Sequence, residues 1–336
     1  MKKSRLFYLD LIRAVALCCI LIVHFNATVT GYFTYPSKLF GSTLPFGIYL
    51  GDFGSSLFFM VSGAALAYTS KDPLDVPAFY RKRAKAVYPM FWLAWCIVFS
   101  VRFVTKPGYY AGAKTSSLLL TAVGLDNFAV AAGWVAQDFA CVGEWFLGTI
   151  LFLYLLFPLL KAGLKKSPLL TWCAVLAVSL PVHLMGWDAR LVAIHLPEFL
   201  LGMAYISWSR RTKCSVLVGL AIFLAVPPLA SFDSKITCAV FSAVTFILLA
   251  ALGNRVHFAP LQNVCALLSK YSYAVFLIHH VIIQRLAENF DLSVLSRRDT
   301  AFLFGVYLLC VAGASAALYW IDGQVRKGFA RLLKSS

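Results

Sequence analysis

The sequence predicts an all-α fold, a polytopic membrane helix bundle of about ten transmembrane helices. Three observations predict it: 61% of the 336 residues are hydrophobic, only 13% are charged, and the apolar residues form long runs. A soluble domain has about 45–50% apolar and about 25% charged residues, so this chain has too few charges to cover a water-facing surface. We therefore expect a single integral membrane domain over residues 1–336, with no soluble domain appended.

Ten apolar runs have roughly the 20 residues that a helix needs to cross a bilayer. The predicted spans lie near residues 7–29, 46–68, 86–104, 145–160, 169–186, 191–208, 216–230, 236–252, 272–287 and 301–321. The first run lacks a small-residue cleavage pattern, so it is expected to be retained and not removed as a signal peptide. A further apolar stretch, 117–132, is short and contains Asp126 and Asn127, which predicts a re-entrant or interfacial segment there.

The distribution of Lys and Arg predicts the orientation of the helices. With ten spans, the loops on the side of both termini carry more than twice as many basic residues as the opposite loops. The positive-inside rule then places both termini in the cytoplasm. The net charge of +16 is explained by these basic loops next to a lipid bilayer, so we expect no nucleic-acid partner.

Three ionisable residues, Asp10, Arg13 and His24, fall inside the first predicted span, where charge is costly and usually marks a site. Arg13 and His24 are separated by about three helical turns, which places them on one face and about 16 Å apart along the axis. Asp10 falls near the same stripe and could pair with Arg13. The alternatives are an interfacial anchor for Arg13 and a hydrogen-bonded packing role for His24. Chemically, His24 can accept a proton from a hydroxyl, and Arg13 can bind a phosphate or carboxylate.

Other ionisable residues lie at the ends of later spans. The basic run from Arg81 to Lys85 satisfies the positive-inside rule or forms a phosphate-binding mouth. Adjacent His279 and His280 would point about 100° apart on a helix, so we expect one of them to face the interior and no metal to be shared. Asp322 and Arg326 have the spacing of a helix salt bridge. The nine cysteines include no CxxC pair, which indicates neither a disulfide framework nor a zinc site.

Six short elements follow one another along the chain. They are Tyr8-Leu9-Asp10-Leu11-Ile12-Arg13-Ala14 running to His24-Phe25, Phe58-Phe59-Met60-Val61-Ser62-Gly63, Arg83 to Pro89, Trp145-Phe146-Leu147 with Tyr154-Leu155-Leu156-Phe157-Pro158, Phe199-Leu200-Leu201-Gly202, and Ser272-Tyr273 with Phe276-Leu277-Ile278-His279. Together they resemble the acyltransferase-3 family of multispan membrane acyltransferases over nearly the whole chain. The chain departs from the family pattern at two places. Ala86 occupies a position where the family often has a second arginine. Ile150-Leu151 occupies positions where many members have a glutamate pair. The second departure resembles the subgroup that contains sugar O-acetyltransferases of surface polysaccharides.

The resemblance implies transfer of an acyl group, most often acetyl, from cytoplasmic acyl-CoA to a hydroxyl of a glycan or lipid-linked sugar. It implies a multi-pass protein of the bacterial cytoplasmic (inner) membrane, with acetyl-CoA as a donor substrate and no bound cofactor. The oligomeric state is open, a homo-oligomer being one alternative. The catalytic candidates are His24 and Asp10, no metal ligand is expected, and the substrate-binding candidates are Arg13, Arg83, Lys85, Lys82, Ser62, Glu144, Trp145 and His279.

Two other classes of function compete with an enzyme. A transporter or exporter of a sugar or lipid could use the same intramembrane ions as a proton relay. Such proteins often contain inverted repeats, and no clear repeat is visible in this chain. A membrane scaffold would leave Arg13 and His24 without a purpose.

Overall fold

The computed structural model describes residues 5–30, 48–188, 190–225 and 234–335. Within these ranges every regular element is helical, which confirms the predicted all-α class. A single 3-10 turn, Thr115–Ser117, precedes the fourth α-helix. The α-helices are α1 Phe7–Val29, α2 Leu50–Thr69, α3 Val76–Thr105, α4 Leu118–Val123, α5 Asp126–Ala131, α6 Glu144–Lys166, α7 Pro168–Leu184, α8 Val192–Tyr205, α9 Arg210–Ala225, α10 Ser234–Gly253, α11 Ala259–Ala287 and α12 Arg297–Ser335.

Each of the ten predicted spans overlaps one helix, although residues 46–47 and 226–230 lie outside the described residues. Seven helices in the described ranges are long and apolar enough to cross a membrane: α1, α2, α3, α6, α10, α11 and α12. The apolar helices α7 and α8 are shorter, with 17 and 14 residues, and α9 has 16. The chain is therefore a multi-pass membrane protein, while ten crossings and cytoplasmic termini stay predictions.

The stretch 117–132 forms two short helices and does not cross the bilayer as a helix. The helices α4 and α5 have six residues each and meet at Gly124, whose φ is +75°. Six residues rise only about 9 Å, against a hydrocarbon core of about 30 Å. Two helices of this length agree with the expectation that this stretch is not an eleventh span, and the number of crossings stays a prediction.

The helices expose large apolar side chains on their surface and bury a few charged ones inside. Large apolar side chains such as Val104, Phe302 and Leu309 are at least 75% exposed on their helices. The carboxyl groups of Asp10 and Glu198, in contrast, are buried. This arrangement follows from the sequence, because apolar residues cover whole helices and the few charges can be placed inward.

Contacts group the chain into two compact units, a division that the apolar runs do not predict. The first unit comprises Met1–Val23, Thr43–Phe79 and Thr149–Lys270. Within it, α2 and α8 pack closely because glycines face the neighbouring backbone. A Cβ atom added to Gly63 would lie 2.1 Å from the carbonyl oxygen of Phe199, and one added to Gly202 would lie 1.9 Å from that of Met60. Small residues at helix contacts are the usual means of close packing in membranes.

The second unit comprises His24–Ser42, Tyr80–Gly148 and Tyr271–Ser336. The hydroxyl of Tyr273 in α11 donates to the carbonyl oxygen of Val87 in α3, over 3.1 Å. A Cβ atom on Gly143, just before α6, would lie 2.4 Å from the ring of Phe276. These contacts bring α3, the start of α6 and α11 together, and α11 carries the two adjacent histidines.

The last helix, α12, has 39 residues. At 1.5 Å per residue it is about 58 Å long, nearly twice the thickness of the hydrocarbon core. Its apolar run covers about residues 301–321, and just beyond it Asp322 pairs with Arg326 over 2.7 Å. The predicted helix salt bridge is therefore confirmed.

Candidate functional site

The carboxylate of Asp10 is held by two arginines in the first unit. Arg5 donates to it from two nitrogens, one of them over 3.0 Å, and Arg13 Nη1 lies 3.6 Å from Oδ1. The predicted pairing of Asp10 with Arg13 is confirmed. Asp10 and His24 are 14 residues apart on one helix, about 21 Å along its axis, so their side chains are too distant for a direct hydrogen bond. A catalytic role of Asp10 stays a prediction.

The guanidinium of Arg13 also reaches α11. It donates to the hydroxyl of Ser269, and its side chain is 24% exposed. The Asp10 carboxylate compensates only part of the charge of Arg5 and Arg13, so this part of the first unit is positively charged overall. Such a site favours an anionic group, and a guanidinium can bind phosphate in a bidentate geometry.

The histidines of α1 and α11 form one cluster in the second unit. The ring centroid of His24 lies 5.1 Å from that of His279 and 3.9 Å from that of His280. The adjacent rings of α11 are 4.4 Å apart. The expectation that only one of the two faces the interior is wrong, because both contact His24. Neighbouring side chains leave a helix about 100° apart, but rotation about the side-chain bonds brings both rings to the same partner, His24.

One nitrogen of His279 is fixed by the backbone of its own helix. Nδ1 lies 2.9 Å from the carbonyl oxygen of Phe276 and 3.1 Å from that of Val275. A carbonyl oxygen only accepts, so Nδ1 carries the proton and Nε2 carries the lone pair. Nε2 is fully buried and has no hydrogen-bond partner among the described residues.

A cavity of about 200 Å³ lies beside the C-terminal ends of α3 and α11. Val281 and Gln284 line it, and Gln284 follows His280 by one helical turn on the same face. Its polar wall consists of Arg102, Lys106, Arg285 and Glu288, the last of which pairs with both Lys106 and Arg285. The hydrogen bond from Lys106 holds the pKa of the Glu288 carboxyl below its usual value.

The basic start of α3 is fixed to the last helix of the same unit. Arg326 in α12 donates to the carbonyl oxygens of Lys85 and Ala86. The side chains of Lys82 and Lys85 are exposed, and that of Arg83 is half-buried. Exposed ammonium groups are available to a phosphate, so the proposed donor-binding role of the three residues stays a prediction.

The candidates at the starts of two other helices have structural contacts. Glu144 is 1% exposed, and its carboxylate accepts hydrogen bonds from the backbone N–H groups of Cys141 and Val142 at 2.7–3.0 Å. This carboxylate closes the start of α6, which leaves it less capacity for a substrate. Trp145 packs its ring against Phe146 at 6.0 Å, and Ser62 is half-buried in α2. Substrate binding by Glu144, Trp145 and Ser62 stays a prediction.

The first unit contains a second buried polar group, which sequence reasoning did not find. The hydroxyl of Ser56 donates to Oε1 of Glu198 over 2.5 Å, and His195 Nδ1 lies 2.8 Å from Oε2. The His195 ring also packs against Phe59 at 4.3 Å. All three polar residues are less than 7% exposed. The i,i+3 spacing of His195 and Glu198 within an apolar run was the available signal.

The apolar helices, and the arginine and histidines that lie within them, define a multi-pass membrane protein with polar sites inside its helical units. The chain belongs to the acyltransferase-3 family, whose model, described as an acyltransferase domain, matches residues 6–320. It is also similar to the acyltransferase MdmB of Streptomyces mycarofaciens, with 27% identity over 281 residues, 70% of this chain and 69% of that protein. No solved structure matches the chain. The protein is therefore a membrane acyltransferase, as the resemblance implied.

Proposed function

We propose that this acyltransferase transfers an acyl group, acetyl in the first instance, from acyl-CoA to a hydroxyl of a glycan or lipid-linked sugar. We further propose that it acts in the bacterial cytoplasmic membrane. The observation that carries the proposal is the position of His24. It lies against two further histidines, and the α11 face that carries His280 continues into the polar cavity.

The donor is a polyanion, because coenzyme A carries phosphate groups, and the arginine pair of the first unit has the matching charge. Arg13 is oriented by Asp10 and Ser269, which leaves its remaining N–H groups for a phosphate oxygen. The exposed Lys82 and Lys85 offer further positive charge at the start of α3.

The acceptor is a hydroxyl that needs a base, and a neutral imidazole is the usual one. In the proposed step, a ring nitrogen of His24 takes the hydroxyl proton while the oxygen attacks the thioester carbonyl carbon. The carbon–sulfur bond breaks, and the departing thiolate takes the proton back. The cavity of about 200 Å³ is smaller than a typical ligand pocket of about 300–1,000 Å³. It suits one polar group of the size of a single sugar, beside Gln284 and Arg285.

The test uses purified protein in lipid nanodiscs with acetyl-CoA labelled on the acetyl group. We expect label to appear as a base-labile ester on a sugar or lipid-linked sugar, with release of free CoA. In parallel, mass spectrometry of the surface polysaccharide from a deletion strain identifies the natural acceptor by its loss of ester-linked acetyl. If well-folded protein produced neither free CoA nor the ester, the proposal would be contradicted.

The transporter alternative has a different signature. A transporter would exchange a radiolabelled sugar or lipid across proteoliposomes without consuming acetyl-CoA. The family membership favours the enzyme. Solute counterflow without acyl transfer in the same vesicles would favour the transporter.

A further inference from the structure

We propose that His24, His279 and His280 bind one divalent transition-metal ion of the Zn²⁺ type, and that this ion inhibits acyl transfer by occupying His24. The binding part stands on the geometry of the cluster alone. The inhibitory part rests on the proposed function, in which His24 supplies a lone pair to the acceptor proton. Nothing in the family match assigns a metal to this position.

The three side chains are close enough to share an ion. Each offers one ring nitrogen, and these nitrogens all lie within 4.8 Å of one another. A single point therefore lies within about 2.8 Å of all three, and Zn²⁺ needs about 2.0–2.1 Å to each imidazole nitrogen. Each ring has to move by less than about 1 Å, which small rotations of its side chain provide.

His279 is already arranged as a metal-binding histidine. Such histidines usually donate the N–H of the other ring nitrogen to a carbonyl or carboxylate, which fixes the tautomer and the orientation of the ring. The Nδ1–H of His279 does this with the carbonyl oxygen of Phe276. The remaining nitrogen, Nε2, is buried and has no hydrogen-bond partner among the described residues, and burial of such a group is unfavourable. A metal ion would satisfy it.

The donor set selects the class of ion. Three imidazoles suit Zn²⁺, Cu²⁺ or Ni²⁺, whereas Mg²⁺ and Ca²⁺ require oxygen ligands. Three protein ligands leave a fourth tetrahedral position for water, and bound hydroxide would reduce the net charge of the site. The side chains of Cys18 and Cys19, in the same helix, are separate thiols that any test has to distinguish from the histidines.

An ion at this position and a base at His24 exclude each other, because both use the lone pair of one ring nitrogen. A bound ion would also be held next to the α11 face that leads to the cavity. We therefore expect acyl transfer to fall as the free Zn²⁺ concentration rises, and to recover when a chelator removes the ion.

The experiment measures binding and activity separately. Purified, chelator-treated protein in nanodiscs is titrated with Co²⁺, whose visible absorption reports tetrahedral coordination, and the bound ion is then displaced by Zn²⁺. We expect one ion for each chain, without the sulfur-to-cobalt charge-transfer band that thiolate ligands produce. His279→Gln and His280→Gln should each weaken binding about 100-fold or more, since each removes a direct ligand. The matched control is His257→Gln, at an exposed position, which should bind Co²⁺ as the unmodified protein does.

Two results would overturn the inference. Co²⁺ binding that persists unchanged in both α11 variants, or that shows the thiolate band, would place the ion elsewhere. The inhibitory part would be refuted if the ion binds at the cluster and Zn²⁺ leaves acyl transfer unchanged. It would also be refuted if acyl transfer requires Zn²⁺. If the protein shows no acyl transfer with any acceptor, either after chelator treatment or after Zn²⁺ is added back, while Co²⁺ still binds the histidines, the proposed function fails and the metal site stands.

Discussion

His24 of α1 and His280 of α11 face each other with ring centroids 3.9 Å apart. This contact joins the first element of the family resemblance to the last one, and it adds a histidine that the resemblance did not include. His24 is the only histidine that contacts both members of the α11 pair within the described residues.

The first prediction concerns His24→Ala. We expect acyl transfer to fall by about 10²–10⁴-fold, the usual contribution of a general base. The measurement is the initial rate of ester formation at matched protein concentration. His257→Ala is the control and should retain the full rate, because this side chain is exposed and remote in sequence from the cluster. An unchanged rate for His24→Ala would exclude the base.

The second prediction concerns Arg13→Lys. Lysine keeps the positive charge but loses the planar fork, so we expect the KM for acyl-CoA to rise about tenfold while kcat changes less. The reason is that the proposed contact holds the donor in the ground state and the transition state alike. The exposed Arg211 in α9 offers the control substitution Arg211→Lys. A fall in kcat alone would assign Arg13 to the chemical step.

The third prediction concerns Gly202→Ala. The new Cβ atom would lie 1.9 Å from the carbonyl oxygen of Met60, so α2 and α8 have to separate. We expect a loss of about 1–3 kcal/mol in the free energy of unfolding. Gly219→Ala in α9 meets nothing within 4 Å and should be neutral or slightly stabilising. Thermal unfolding followed by tryptophan fluorescence compares the two, and equal melting temperatures would refute the close contact.

The fourth prediction concerns the pH dependence of Asp126, between the helices α4 and α5. Burial, together with the nearby carboxylate of Asp138, raises the pKa of its carboxyl from 3.8 to about 6. The folded state therefore binds the proton more tightly than the unfolded state. This contribution to stability is complete below about pH 4 and is lost as the pH rises to about 6.

Asp126→Asn removes this charge at every pH. We expect the variant to be more stable than the unmodified protein by about 1–2 kcal/mol at pH 7.5, and to lose that advantage near pH 4. Thermal unfolding at the two pH values is the measurement. Asp291→Asn, at an exposed loop position, should show no such gain. An equal effect of Asp126→Asn at both pH values would contradict the raised pKa.

The fifth prediction concerns the buried group around Glu198. Glu198→Ala leaves Ser56 and His195 without their acceptor, so we expect a loss of about 2–4 kcal/mol in the free energy of unfolding. Ser56→Ala alone should cost about 1 kcal/mol. In the double variant the Ser56 substitution should cost less than it does alone, because its acceptor is already gone. Strict additivity would show that the two side chains do not interact.

The helices could be predicted from the sequence because each is an apolar run of the length that a bilayer requires. This argument is weaker for the three shorter helices, α7, α8 and α9. Apolar length alone does not determine whether a helix of 14 residues crosses the membrane or ends within it. The pairing of Asp10 with Arg13 and of Asp322 with Arg326 followed from helical spacing, which fixes neighbours three and four residues apart.

Contacts between distant helices could not be predicted in this way. The angle between neighbouring side chains predicts that only one of His279 and His280 faces the interior, yet rotation about the side-chain bonds of His280 brings its ring to His24. Ser56 was missed because a serine in an apolar run carries no local signal of a partner, whereas for His195 the i,i+3 spacing to Glu198 was available and was not used. Glu144 is a substrate-binding candidate in the sequence, and its oxygens accept hydrogen bonds from the backbone of the preceding loop, a contact that the sequence does not predict.

The last helix, α12, is longer than a bilayer's hydrocarbon core is thick. A helix of about 58 Å in a hydrocarbon layer of about 30 Å has nearly half its length in water or among lipid headgroups. Its apolar run, 301–321, is followed by Arg326, Lys327 and Arg331. Arg326 is bound within the protein, to Asp322 and to the carbonyl oxygens of Lys85 and Ala86, whereas Lys327 and Arg331 are exposed. An exposed cation next to an anionic lipid surface gains about 1 kcal/mol, so we expect anionic lipids to stabilise the protein through this end of the helix.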